Sequence, residues 1–272
     1  MESISKTNGS GCATTRKTGT FLTYKKFLAM AFCLCAVAFS SKMMAQFPSG
    51  SGTASSPYII TNATHLDNVR NNLTAYYKLG NDITLSGNWT PIGTSSNPFK
   101  GNFDGNKKVI RGLAINNRTI EYSGLFGYVT NGTVENLGIE DADIYYSDSY
   151  DNRNKNSGVV VGFNNNGTVK NCYSTGTISA RANTNGGVLP GSTTHYSRVG
   201  GVVGRNDGSN AKVENCYSTC TVTSTGNAVG VGVNNAHCYA GGIVGENINS
   251  GKVSNCYSIG TVTATRTNSG NT

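Results

Sequence analysis

Two kinds of side chain in this sequence could do chemistry, clustered carboxylates and recurrent cysteines. The stretch "EDADIYYSDSYDNRNK" gathers Asp141, Asp143, Asp148 and Asp151 with Tyr145, Tyr146, Tyr150 and Arg153. Paired acids beside a base are what glycosidic bond cleavage requires, and acids in a loop could hold Ca²⁺. Tyrosines offer flat faces to a sugar or a protein. The order Asp-x-Asp-x-Asp-Gly is missing, so no calcium loop is specified and no cofactor is implied. Three readings stay open: a solvated insert with edge-protecting charge, a binding loop, and a pair of catalytic acids. The first is favoured.

The cysteines fall into a pattern. Cys172, Cys216 and Cys256 each stand in the phrase Asn-Cys-Tyr-Ser, "VKNCYSTGTIS", "VENCYSTCTVT" and "VSNCYSIGTVT". A metal site needs ligands converging on one point. One cysteine per phrase, with His65, His195 and His237 scattered singly, supplies no such set and no His-Glu-x-x-His. A small apolar side chain that packs inward accounts for the recurrence. Cys220 and Cys238 stand outside the pattern, Cys220 where the sister phrases keep Gly176 and Gly260. Each occurs once, so they are a candidate disulfide in an oxidising compartment, provided their Cα atoms come within about 7 Å.

The elements that must carry these residues are repeats. "SGLFGYVTNGTVENLGI", "SGVVVGFNNNGTVKNCYS", "VGGVVGRNDGSNAKVENCYS" and "AGGIVGENINSGKVSNCYS" share Gly-x-apolar-Gly, a polar turn, and Val-x-Asn before a short strand. No single unit has an apolar face large enough to fold alone. Stacked as turns of a solenoid, each buries its Val and Ile on its neighbours. The expected fold is all-β, a right-handed parallel β-helix with a short N-terminal capping helix. Asn136, Asn171, Asn215 and Asn255 then fall at one corner, where Asn tolerates the left-handed conformation and could form an amide ladder. Cys, Tyr and Ser alternate in, out and in along the next strand, which puts the cysteines in the bore. The inserts "RANTNGGVLPGSTTHYSR" and "STGNAVGVGVNNAHCY" read as loops on one side. In the lead-in, Asn62 or Thr64 caps a helix with Leu66, Val69 and Leu73 on its apolar face, and Asp104-Gly105 reads as a turn between strands.

The repeat phrases "GGVVGRN…VENCYSTCTVT" and "GGIVGEN…VSNCYSIGTVT" resemble the GLUG motif. That motif occurs in tandem in bacterial surface and adhesin-like proteins and in non-catalytic parts of IgA-cleaving metallopeptidases. The first unit matches more loosely, with "NLGI" in place of Asn-Cys-Tyr-Ser. The preceding "PYIITNATHLDNVR…YYKLGNDITLSGNWTPIGTSSNPFKGNFDGNKKVIRGL" resembles the lead-in to such arrays in exported proteins of the Bacteroides type. The resemblance covers about residues 52–264 and implies an exported, surface-associated β-solenoid. It implies no activity.

Composition agrees with many short strands and polar turns: 272 residues, 13% charged, 35 glycines. Of the formal charge of +8, residues 1–45 carry +5, and the remainder has no basic patch of the kind nucleic acid needs. "KKFLAMAFCLCAVAFSSKMMAQ" has the lysines and the short apolar run of a signal peptide, too short to span a bilayer. Cleavage falls after Ala45 or Ser40. The expected organisation is a signal peptide over 1–45, cap and first turns over 46–122, and a repeat array over 123–272 that stops without a cap, as a fragment would. The expected protein is an exported, outer membrane-associated or extracellular scaffold without enzymatic activity. It would adhere to glycan, matrix or other cells, with no nucleic-acid partner and no transmembrane span in the mature chain. A β-helical lyase or glycosidase is the rival.

Overall fold

The computed structural model describes residues 46–117, 119–145, 153–185, 194–229 and 235–269, all within the unit Gln46–Thr272. Its core is a column of stacked coils, and every strand pairing between coils is parallel. The chain is therefore a parallel β-helix. Three lead-in strands open it, β1 (Tyr58–Ile60), β2 (Tyr76–Leu79) and β3 (Ile83–Thr84). Between β1 and β2 lie α1 (Ala63–Asp67) and a 3-10 turn (Asn68–Asn71). Asn62 is the cap: its side chain accepts the His65 N–H at 2.9 Å. Leu66 and Val69 are fully buried, and the Tyr77 hydroxyl donates to the Asn72 carbonyl at 2.6 Å, fastening this cap to β2. A file of rings, Phe47, Tyr58, Tyr77, Phe99, Phe126 and Phe103, fills the bore below, with successive centroids 4.7–6.5 Å apart.

Each full coil has three walls. The first wall stacks β6 (Tyr122–Ser123), β9 (Lys155–Gly158), β13 (Thr194–Gly200) and β18 (Asn235–Gly241). The second stacks β7 (Phe126–Thr130), β10 (Val161–Asn165), β14 (Val203–Asp207) and β19 (Val244–Ile248). The third is the large sheet that begins with β1, β2, β4 (Asn102–Arg111) and β5 (Ala114–Ile115) and continues through β8 (Thr133–Tyr145). It then takes in β11 (Thr168–Lys170), β12 (Tyr173–Asn185), β15 (Lys212–Glu214), β16 (Tyr217–Ser218) and β17 (Thr221–Val229). It ends with β20 (Lys252–Ser254), β21 (Tyr257–Ser258) and β22 (Val262–Ser269). Val134, Val169, Val213 and Val253 lie in register up this wall. The first three are fully buried, whereas Val253, in the coil with only one covered side, is 40% exposed.

Two expectations are corrected here. Asp104 and Gly105 do not form a turn between strands. They lie inside β4, which bulges so that Asp104 faces Glu135 while Lys108 already faces Leu137. The left-handed residues at this corner are Asn106 and Lys107, with φ of 50° and 61°. The inserts are not loops up to their tips either. Strands β12 and β17 run out of the solenoid and β13 and β18 run back, paired along their lengths. Small residues make this possible: Ala180, Ala182, Ser197, Ser224 and Ala236 are all fully buried between the two layers. The Ser224 hydroxyl donates to the Ser197 carbonyl at 2.9 Å, and the Ser197 hydroxyl to the Ala180 carbonyl at 3.0 Å. The result is a thin blade projecting from one edge of the coils.

Candidate functional site

The Asn-Cys-Tyr-Ser phrase builds three parallel columns on the third wall. Asn136, Asn171, Asn215 and Asn255 all sit at φ of 54–55°. Asn171 donates to the Asn136 side-chain oxygen at 2.9 Å, Asn215 to Asn171 at 3.2 Å and Asn255 to Asn215 at 3.1 Å. Asn136 in turn donates to the Asp104 carboxylate at 2.9 Å, so a carboxylate closes the column. The conformation suits Asn because it reaches the left-handed region at lower cost than other side-chain-bearing residues.

Cys172 and Cys216 are each 1% exposed, and their thiols donate to the carbonyls of Lys170 and Glu214, both at 3.2 Å. Burial first, and the Cys216 thiol alongside second, push the Cys172 thiol well above its ordinary value. Burial likewise raises Cys256, which is only partly covered. Cys172 and Cys256 are poor nucleophiles on this account, since the reactive form is the thiolate; the hydrogen bond with Cys172 lowers the Cys216 thiol instead, and it is burial that keeps reagents from it. Native-state alkylation read by mass spectrometry is expected to label Cys238 and Cys256, and to reach Cys172, Cys216 and Cys220 only in denaturant. Labelling of Cys172 in the folded protein at a denatured-state rate would contradict the buried column.

The disulfide expected between Cys220 and Cys238 is not formed; both are free thiols. Cys238 lies opposite Ser197, whose hydroxyl meets that of Ser224 across the blade at 2.8 Å. Cys220 is four residues nearer the bore, about 13 Å along an extended strand, beyond the roughly 7 Å a bridge spans. It is fully buried there, and its backbone N–H donates to the Ser218 hydroxyl at 3.2 Å.

Between the amide column and the tyrosine column runs a groove of about 390 Å³, lined by Lys107, Asn136, Leu137, Gly138, Asn171, Tyr173 and Tyr217. Tyr173 and Tyr217 stack at 4.9 Å with planes 2° apart, and Tyr257 continues the stack at 5.3 Å. In the first coil Gly138 holds the tyrosine position, and the Tyr173 ring lies over it. The Tyr173 hydroxyl donates to Glu140 at 2.7 Å; burial and this bond push its pKa up to about 12, so it stays protonated. Glu140 is also paired with Arg111 at 3.0 Å. Each ladder amide spends one N–H and one oxygen lone pair along the column, which leaves the others for a ligand. Flat rings on one side and amides on the other suit a polyhydroxylated chain, and no carboxylate lines the groove.

The acidic insert lies elsewhere. Asp141, Asp143 and Tyr145 are exposed and alternate with buried Ala142 and Ile144 along β8. The Thr177 hydroxyl approaches Asp143 at 3.4 Å, and Arg153 donates to the Thr119 carbonyl at 3.0 Å. Tyr146, Asp148, Tyr150 and Asp151 lie outside the described residues. Among the described residues no three His, Cys, Asp or Glu side chains group as a metal site.

Two features escaped sequence reasoning. A second amide row links Asn164 to Asn206 and Asn206 to Asn247, each at 2.7 Å, inside the second wall. Its signal was the Gly-x-Asn shared by the last three units. At the junction of the first and second walls, Arg198 pairs with Glu246 at 2.5 Å and lies over Tyr196 at 4.2 Å. Arg205 joins the same Glu246 at 3.2 Å and lies over Phe163. This cluster ties the third coil to the fourth.

Fold and columns together define a repeat solenoid in which the last three coils repeat one another's cysteine, tyrosine and asparagine contacts. The model of the GLUG motif matches residues 154–179, 195–223 and 236–263, the last three coils. The chain thus carries three copies of the GLUG motif. Over 103 residues, 34% of this chain, it is 42% identical to a protein of Evansella cellulosilytica provisionally named as a Gly-rich membrane protein. Over 174 residues, 59% of the chain, it is 32% identical to halomucin of Haloquadratum walsbyi. The matches span only 12% and 2% of those relatives' own lengths. A crystal structure of a protein from Bacteroides ovatus, provisionally called an immunoglobulin A1 protease, shares the fold. Its TM-score is 0.53, at 24% identity and 78% coverage of both chains.

Proposed function

We propose that this chain is an exported, surface-displayed scaffold that binds glycan without transforming it. The groove between the tyrosine and amide columns carries the reading. It offers aromatic rings, unspent amide groups and a tyrosine hydroxyl on a rigid wall, and it lacks the two carboxylates that glycosidic hydrolysis uses. The relatives' names, a membrane protein and a halomucin, support a place at the cell surface. Among the described residues no helix is long and apolar enough to cross a membrane. The blade adds surface to one edge of the coils while the strands of successive coils stay in register, which suits a display protein. A glycan array probed with the purified chain tests the reading. Binding is expected, and Tyr217→Ala should weaken it about tenfold, in line with the roughly 1–1.5 kcal/mol of an aromatic contact, without changing the thermal midpoint by more than a few degrees. A wild-type chain that binds no glycan, or a Tyr217→Ala chain that binds equally well, would defeat it.

A further inference from the structure

We infer that the groove selects an acidic glycan, with Lys107 as the residue that reads its negative charge; this rests on the glycan reading above. Lys107 is the one charged side chain among the residues lining the groove, and it stands at the end where the tyrosine column begins. Its placement is built. In β4, Gly105, Asn106 and Lys107 together oppose the single corner residue Asn136 of the next coil, so this corner carries two more residues than the one above it. Bulges of this kind re-aim a side chain.

Three contacts hold the bulge. The Asp104 carboxylate accepts the Asn106 N–H at 2.8 Å, and the Asn106 side chain donates to the Leu79 carbonyl at 3.0 Å. A Cβ on Gly105 would come within 2.5 Å of the Asn136 carbonyl oxygen, so the bulge is pressed against the coil that forms the groove floor. Lys107 itself is held at φ 61°, in the left-handed region, where the Cβ of a lysine crowds the backbone. A strained residue clamped by its surroundings marks a functional position more often than an ordinary one. Unlike Lys78, Lys170 and Arg111, which pair with Asp104, Glu135 and Asp82, Lys107 is exposed and makes no ion pair among the described residues. A sugar chain lying along the groove would meet amides and tyrosines over its length and an ammonium at one end. A carboxylate or a sulfate on that sugar supplies the matching charge.

Two matched pairs of polymers test this with the whole chain: polygalacturonate against its methyl ester, and dextran sulfate against dextran. At least one charged member is expected to bind at least tenfold more tightly than its neutral partner. Lys107→Gln should abolish that preference while leaving the fold intact, and raised salt should weaken the charged complex. Preference for polygalacturonate alone identifies a carboxylate and preference for dextran sulfate alone a sulfate; either supports the inference. Equal binding of charged and neutral members, or a charge preference that survives Lys107→Gln, overturns it. If the neutral polymers bind and Tyr217→Ala removes that binding, only the acidic selectivity falls. If none of the four binds, the acidic selectivity falls, and the glycan array alone decides whether the glycan reading falls with it.

Discussion

Replacing Gly204 by alanine is expected to lower the thermal midpoint by roughly 5–10 °C, as about 2–3 kcal/mol of overpacking does in a domain of this size. A Cβ at this position would lie 2.5 Å from the Ser157 nitrogen and 2.6 Å from the Gly162 carbonyl oxygen. Both are backbone atoms of the coil below, and backbone cannot rotate aside as the tip of a side chain can. Gly162, Gly204 and Gly245 stack on one another at the sharp junction of the first and second walls, so the cost is paid at the interface between coils. Because such arrays are stabilised by nearest-neighbour contacts, the third and fourth coils should lose hydrogen-exchange protection before the lead-in does. A Gly204→Ala chain that keeps the wild-type midpoint would show that the wall junction can open, contrary to the close approach described here.

The second large effect concerns the amide column. Asn215→Ala should destabilise the chain by about 3–4 kcal/mol, from a left-handed residue costing about 1–2 kcal/mol and two lost hydrogen bonds worth about 1 kcal/mol each. Asn215 sits at φ 54°, donates to Asn171 and accepts from Asn255. Asn215→Gly removes the same hydrogen bonds and keeps the conformation accessible, so it should cost about half as much. Chemical denaturation of the two variants side by side gives the comparison. Equal losses would mean that the backbone conformation contributes nothing, and no loss in either would mean that the column is ornamental.

The repeat made the fold legible. Four copies of Val-x-Asn placed the valines in one row and the asparagines at one corner, and stacking is what makes a periodicity of this length visible at all. Features that occur once were harder. The absent disulfide shows why: Cys220 and Cys238 look like partners by type and compartment, but the blade sets them four residues apart along its length. The blade itself was concealed because Ala, Ser, Thr and Gly compose both loops and tightly packed strand pairs. Only the parallel pairing of β12 with β17 and of β13 with β18 separates the two. The groove was concealed for a different reason. Its walls belong to the repeat, so their residues read as structure, while the exposed acids of the insert drew attention as chemistry. Lys107 sits in a bulge that no repeat announces.

The two amide columns point in opposite directions along the solenoid. In the corner column each N–H faces the preceding coil and the series ends on Asp104; in the inner row each N–H faces the following coil. A run of aligned amides carries a summed dipole, as a helix does. Asp104 therefore stands to the corner column as an acid stands to a helix N-terminus, at its positive end. A carboxylate only accepts, so it obliges Asn136 to donate, and that choice fixes Asn171, Asn215 and Asn255 in turn. The inner row has no such anchor: its first oxygen, on Asn164, lies beside Val129 in the neighbouring strand and has no hydrogen-bond partner among the described residues. One aspartate thus sets the polarity of a column that crosses five successive coils, while the inner row runs the other way without a charge to orient it.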